Sequence, residues 1–141
     1  FSSIDFKEYI LNLSKNLIHS YQIYEDLVEL VLNVEKVLLN LDQAIPCGLI
    51  VNELFSNALK YAFDPNKSGS ITIALTLSNE DDIKLIVKDD GKGLPNNFDF
   101  RKTESLGLQL VTTLVEQIDG TVNCETEEGK GTAFIIEFKK L

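Results

Sequence analysis

The chain has 141 residues, 44% of them hydrophobic and 25% charged, enough apolar material to bury a core and too much for an intrinsically disordered chain. Its formal net charge of −9 and pI near 4.5 argue against nucleic acid as a partner, because duplex binding rests on cationic side chains meeting phosphates. No apolar run approaches the roughly 18–20 residues of a membrane-crossing helix and no secretory signal opens the chain, so this segment is expected to make no membrane contact.

Cys47 and Cys124 stand far apart, without the spacing of a zinc site or a disulfide framework, and read as reduced thiols of a cytoplasmic domain. No methionine occurs, not even at position 1, which predicts a segment of a longer protein.

In chain order, Phe6, Ile10, Leu13 and Leu17 recur every three or four residues and predict a helix over residues 4–21. Residues 27–34 and 37–41 predict two short strands separated by the polar pair Glu35 and Lys36. Pro46 suits the first turn of a helix, and the helical pattern then runs to about Phe63, where Asp64-Pro65-Asn66 supplies a turn. Residues 71–77 alternate as a half-buried strand, 79–82 form a polar turn, and 83–87 return as the hairpin partner. A polar, glycine-containing loop follows from Asp89 to about Glu104. Leu108, Val111, Leu114, Val115 and Ile118 then mark one face of a helix that stops at Asp119-Gly120. Two closing strands, 121–125 and 132–139, flank the glycines at 129 and 131.

No repeat or linker divides the chain, so residues 1–141 read as one domain. Helices and strands are interspersed, yet several strand pairs are joined by short hairpins. The expected class is therefore α+β: a two-layer α/β sandwich, with a mixed, mainly antiparallel sheet of about five strands and helices on one face.

Four stretches carry candidate chemistry. On the central helix, Glu53, Asn57 and Lys60 fall within one narrow arc beside the apolar arc of Ile50, Val51, Leu54, Phe55, Ala58 and Ala62. A carboxamide oxygen suits Mg²⁺ and a lysine suits phosphate, although this arc alone also reads as a solvated helix face. Asp89-Asp90-Gly91-Lys92-Gly93 directly follows a strand; its glycines permit close approach to the main chain, and Asp89 can accept from an exocyclic amine. It is neither a Rossmann fingerprint nor a Walker loop, and by itself it is also an ordinary Asp-Gly turn. Ser105-Leu106-Gly107-Leu108 opens a helix whose free N–H groups form a phosphate cradle, or simply a serine-capped helix. Gly129-Lys130-Gly131-Thr132-Ala133-Phe134 sets the Thr132 hydroxyl at the start of the last strand.

The order of these stretches is more specific than any one of them. Residues 52–62, 89–95, 105–111 and 129–134 resemble the N, G1, G2 and final Gly-Thr-x-Phe boxes of the histidine kinase/gyrase ATPase superfamily. The likeness is to the sensor histidine kinase subfamily with a short ATP lid, in which residues 44–54 are a recurring lead-in. It spans roughly residues 25–140 and implies a Bergerat-type ATP-binding fold. It further implies that Asn57 ligates Mg²⁺ between ATP phosphates while Glu53 assists the metal's water shell or acts as base. By the same likeness, Lys60 reaches the phosphates and Tyr61 flanks the nucleotide. Asp89 binds the adenine amino group with Thr132 helping through water. Gly91 and Gly93 let the chain pass close to adenosine, and the N–H groups of Leu106, Gly107 and Leu108 hold the triphosphate. By the same likeness, residues 95–104 form the lid, with Phe98 and Phe100 as apolar anchors and Arg101 or Lys102 as a candidate phosphate contact. Only Gly107 stands where long-chain members often carry a richer glycine pattern, which matches the short-lid subfamily.

The implied partners are ATP, a histidine-bearing dimerisation domain and, indirectly, a response regulator. His19 stands between Ile18 and Ser20, not in the characteristic setting of the family's acceptor histidine, so the acceptor is expected outside this monomeric segment. A nucleotide sensor without transfer and an anti-sigma-type serine kinase remain alternatives on the same fold.

Overall fold

The computed structural model describes residues 3–20, 27–95, 97–102 and 105–141. Tyr21, Asn96, Thr103 and Glu104 lie outside them. Strand β1 (Ser3–Asp5) and helix α1 (Phe6–Ser20) open the fold, followed by β2 (Val28–Val34), β3 (Leu38–Asn40) and α2 (Leu41–Asn57). A π-helical turn (Ala58–Ala62) extends α2. The remainder is β4 (Gly69–Ser78), β5 (Asp82–Asp89), a 3₁₀ turn (Phe100–Lys102), α3 (Leu106–Gln117), β6 (Thr121–Glu127) and β7 (Gly131–Lys139).

The main sheet has the order β2-β4-β5-β7-β6. Only β2–β4 is parallel; the other three pairings are antiparallel. Alternation sorts its faces. Ile71, Ile73 and Leu75 of β4, Ile83, Leu85 and Val87 of β5, and Ile136 and Phe138 of β7 are buried against the helices. Thr76, Lys84, Lys88 and Glu137 stay exposed on the opposite face. The helical layer answers with Phe6 and Ile10 of α1, Ile50, Val51, Leu54 and Phe55 of α2, and Val111 and Leu114 of α3. This is the expected two-layer sandwich. Truncating a fully buried anchor such as Phe55 to alanine costs about 3–5 kcal/mol.

Two boundaries differ from the sequence expectation. The first helix begins at Phe6 because Ser3–Asp5 pair antiparallel with Leu38–Asn40 in a separate two-stranded ribbon. The second begins at Leu41, not Pro46. Asn40 takes extended dihedrals and its Oδ1 accepts from Gln43 N–H at 3.1 Å, so the cap precedes the proline by six residues. Pro46 therefore sits in the second turn, where it has no N–H to donate to the carbonyl of exposed Asp42 four residues back. The signal for the true start was Asn40 followed three residues later by Gln43. Gln43 does not close a capping box. Its buried amide instead donates to Lys139 O at 2.7 Å and accepts from Leu141 N–H at 3.0 Å, tying α2 to the end of the chain.

Candidate functional site

A cavity of about 300 Å³ opens between the helical layer and the β5–β7 end of the sheet. Leu54, Asn57, Ala58, Tyr61 and Ala62 form one wall, at the spacing of a single helix face. Val87, Asp89, Thr132 and Phe134 form the sheet wall, and Gly93, Leu94, Phe98, Ser105 and Leu108 close the rim. Apolar walls with a few converging polar groups suit a flat heterocycle held at one edge.

The polar end is built from strand register. Asp89 closes β5 directly opposite Thr132 of β7, and both are buried. Burial pushes the Asp89 carboxyl above the usual carboxylate range, opposed by backbone N–H groups of Gly91 and Thr132. Gly91 N–H donates to Asp89 Oδ1 at 2.9 Å. The adjacent Asp90 turns the other way: its Oδ1 accepts from Ser70 N–H at 2.7 Å and its Oδ2 from the Ser70 hydroxyl at 3.1 Å. Two consecutive aspartates thus have different work, one facing the cavity and one clamping β4 to β5.

The other end is where α2 meets the start of α3. A Cβ on Gly107 would lie 2.8 Å from Glu53 Oε2 and 3.6 Å from Asn57 Nδ2, so a carboxylate and a carboxamide converge on α3's first turn. Ser105 caps that turn with extended dihedrals, its Oγ 3.4 Å from Leu108 N. The first-turn N–H groups of a helix lack intrahelical partners, and they carry its positive dipole end. A carboxamide and a carboxylate are hard oxygen donors of the kind Mg²⁺ takes alongside phosphate oxygens, so these residues fit such an ion. Among the described residues, no cluster of three or more His, Cys, Asp or Glu could hold a metal by itself.

Of the residues singled out from sequence, Asn57, Tyr61, Asp89, Gly93, Leu108 and Thr132 lie in the cavity wall, and Glu53 and Gly107 meet at its edge. Lys60, Gly91 and Leu106 do not line it. Lys60 is exposed on the π turn, whose wider winding breaks the straight-helix arc that aligned it with Glu53 and Asn57. Leu106 is 82% exposed, so its contribution at this point is its backbone. Gly91 serves packing: a Cβ there would strike the Ala62 carbonyl oxygen, which accepts Lys92 N–H at 2.8 Å. Gly93 lines the cavity but at φ +75° also passes against the Glu127 carbonyl.

Phe98 and Phe100 both pack inward. Phe98 lies against the cavity, and Phe100 is buried edge-on to Phe134, with ring centroids 5.7 Å apart. Arg101 is occupied elsewhere. Its guanidinium stacks over Phe100 at 4.4 Å and donates to Val122 O at 2.6 Å and Asn123 Oδ1 at 3.3 Å, on strand β6. Leu54, Ala58, Val87 and Leu94 are wall residues that sequence reading assigned to core or loop; apolar wall and apolar core carry the same pattern, so no local signal separates them.

Cys47 is buried in α2 and Cys124 is half-buried on β6. Burial pushes their thiols up to about 12 and about 11, the range of inert cysteines.

The order of these elements, with the cavity at the α2, β5 and α3 ends, is matched in known proteins. The family of histidine kinase-, DNA gyrase B-, and HSP90-like ATPases matches residues 42–141. The chain belongs to this family. The family match starts at the first turn of α2 and so includes the whole cavity wall. Sensor histidine kinase PdtaS of Mycobacterium tuberculosis is 38% identical over 100 residues, which are 70% of this chain and 20% of that protein. Blue-light-activated histidine kinase 2 of Erythrobacter litoralis is 32% identical over 90 residues, 64% of this chain and 26% of that one. The solved histidine kinase domain of a blue-light activated kinase from Erythrobacter litoralis superposes with a TM-score of 0.86 at 26% identity, over 96% of this chain and 61% of that chain. The chain spans about a fifth of the length of the first of these relatives.

Proposed function

We propose that residues 1–141 form the ATP-binding catalytic domain of a sensor histidine kinase. The domain binds Mg²⁺-ATP in the cavity and presents the γ-phosphate to a histidine on a separate dimerisation domain, from which a response regulator is served. The observation that carries this reading is the two-ended cavity. One end offers a buried carboxylate and hydroxyl, Asp89 and Thr132; the other offers Glu53 and Asn57 against the N-terminus of α3.

Each end has a distinct physical task. Asp89 accepts from the adenine amino group, while Val87, Leu54 and Phe134 exclude water from the ring faces. At the far end, the first-turn N–H groups around Gly107 receive phosphate oxygens without reorganising, which is how preorganised donors lower a charged barrier. A bound Mg²⁺ supplies charge neutralisation there, with Asn57 as its protein ligand. Glu53 brings a carboxylate into contact with the same turn, so a triphosphate arriving without the cation would be repelled. Tyr61 flanks the nucleotide from the cavity wall, whereas Lys60, exposed on the same π turn, takes part only by swinging toward the phosphates. Positioning carries most of the work in phosphoryl transfer, and the domain's contribution is a fixed triphosphate aimed outward. His19, on α1, stays outside this scheme, and the segment acts as a monomer on an acceptor brought to it.

Isothermal titration with Mg²⁺ and a non-hydrolysable ATP analogue, repeated with the GTP analogue and with EDTA, tests the reading. Metal-dependent, adenine-selective binding is expected. Absence of binding at millimolar nucleotide would overturn it, and binding without transfer to any added histidine domain would leave a nucleotide sensor in its place.

A further inference from the structure

The hydroxyl of Thr126, a residue outside every motif above, joins three segments at the Asp89 end of the cavity. Asp89 of β5 pairs with Thr132 of β7, and Thr132 pairs with Thr126 of β6, so the three stand in one row on the helix-facing side. Thr126 Oγ1 lies 2.9 Å from Thr132 Oγ1, accepts from Leu94 N–H at 2.9 Å, and is 3.2 Å from the Gly131 carbonyl oxygen. Leu94 and Thr132 are both cavity-wall residues, one on the glycine loop and one on the sheet. Thr126 is therefore a side chain that ties the glycine-loop rim to the sheet wall at this end.

A threonine hydroxyl has one proton and two lone pairs. With Leu94 N–H on one lone pair, the Thr126 proton goes either to the Gly131 carbonyl or to Thr132. When it goes to Thr132, the Thr132 proton is available to a ligand in the cavity, and Thr132 acts as a donor beside Asp89, which only accepts. That acceptor–donor order complements the edge of adenine, where an amino group sits beside a ring nitrogen acceptor. Guanine presents the reverse order.

We propose that Thr126 is a positioning residue for purine selectivity, holding Leu94 and Thr132 in register with Asp89 so that the base end of the cavity favours adenine over guanine. The inference rests on the nucleotide-binding reading above. The test compares wild type, Thr126→Val and Thr126→Ser by titration with Mg²⁺ and the non-hydrolysable analogues of ATP and GTP, with inorganic tripolyphosphate as a base-free probe, beside thermal melts. Valine keeps the shape but removes the hydroxyl, leaving Leu94 N–H without its acceptor. Thr126→Val is expected to weaken the ATP analogue by about tenfold or more, while tripolyphosphate and the GTP analogue stay within about twofold, so the ATP/GTP ratio falls. Thr126→Ser is expected to restore that ratio.

An unchanged ratio in Thr126→Val, a serine variant that does not restore it, or loss of all three ligands in step with a lowered Tm would each overturn the proposal while the nucleotide reading stands. Failure of wild type to bind the ATP analogue removes that reading and this inference together.

Discussion

Replacing Gly107 by alanine should separate ligand binding from folding. The added Cβ would stand 2.8 Å from Glu53 Oε2, 3.6 Å from Asn57 Nδ2 and 3.8 Å from Ser105 Oγ. Only the first contact is tight, and its far partner is the end of a flexible carboxylate that can shift by a few tenths of an ångström. Alanine gains about 0.8–1 kcal/mol over glycine in a helix interior, and less in a first turn, which offsets that strain. Net stability should stay within about 1 kcal/mol of wild type, a Tm change of roughly 3–5 °C at most for a chain of this size.

The methyl group nevertheless occupies the surface where α3's first N–H groups meet Glu53 and Asn57. A triphosphate seated there would lose at least one charge-assisted hydrogen bond, about 1.5–3 kcal/mol, or tenfold and more in affinity. Gly91→Ala is the opposite case. Its Cβ would meet the Ala62 carbonyl, a backbone atom already fixed by Lys92 N–H, so nothing can rotate away. Overpacking of that kind costs about 1–3 kcal/mol or more. Circular dichroism melts and calorimetric titration with Mg²⁺ and the ATP analogue, run on both variants, read the two effects separately. If Gly107→Ala binds as wild type does, or melts as low as Gly91→Ala, the phosphate cradle at α3 is wrongly placed.

Other outcomes follow from the same geometry. Asn57→Asp should abolish metal-dependent nucleotide binding with the melt nearly unchanged, and retained affinity for the Mg²⁺-ATP analogue would contradict the ligand assignment. The raised Asp89 pKa predicts two pH trends of opposite sign. Folded Asp89 holds its proton more tightly than the unfolded chain does, so the stability it contributes is present at low pH and lost as pH rises through the raised pKa. Nucleotide affinity needs the carboxylate and should rise over that same interval; Asp89→Asn should remove both trends and the binding, and a persistent pH-dependent affinity in it would point to another group. Arg101→Ala should free the lid rather than remove a phosphate contact. Hydrogen exchange around residues 97–102 should quicken while affinity changes less than about threefold, given the modest strength of such surface contacts. A large affinity loss with unchanged exchange would restore Arg101 as a phosphate ligand.

The elements, their order and the layer architecture were legible in the chain because burial periodicity reports them directly: β4 and β5 alternate, and α3 shows one apolar face. The N-terminal boundaries were not. Residues 3–5 alternate no more strongly than the helix that follows, and what makes them a strand is pairing with residues 33 to 37 positions further on. The start of α2 was available locally in Asn40 and Gln43, but Pro46 is the louder signal. The site was half legible. Glu53, Asn57, Asp89, Gly107 and Thr132 carry side chains or spacings whose chemistry shows without a structure.

By itself, then, the sequence determined an acidic α/β sandwich and singled out the residues that this reading places at a nucleotide site. Only the tertiary structure decided how those residues are used. The π turn leaves Lys60 out of the cavity wall, close backbone packing explains Gly91, and the β6 carbonyl that holds Arg101 is 21 residues distant in the chain. Likewise the row Asp89, Thr132 and Thr126 exists only through strand pairing. The physical reason is one of range. Periodicity and capping act over a few residues, whereas cavity walls, close approaches and hydrogen-bond rows are set by which distant segments the buried core brings together.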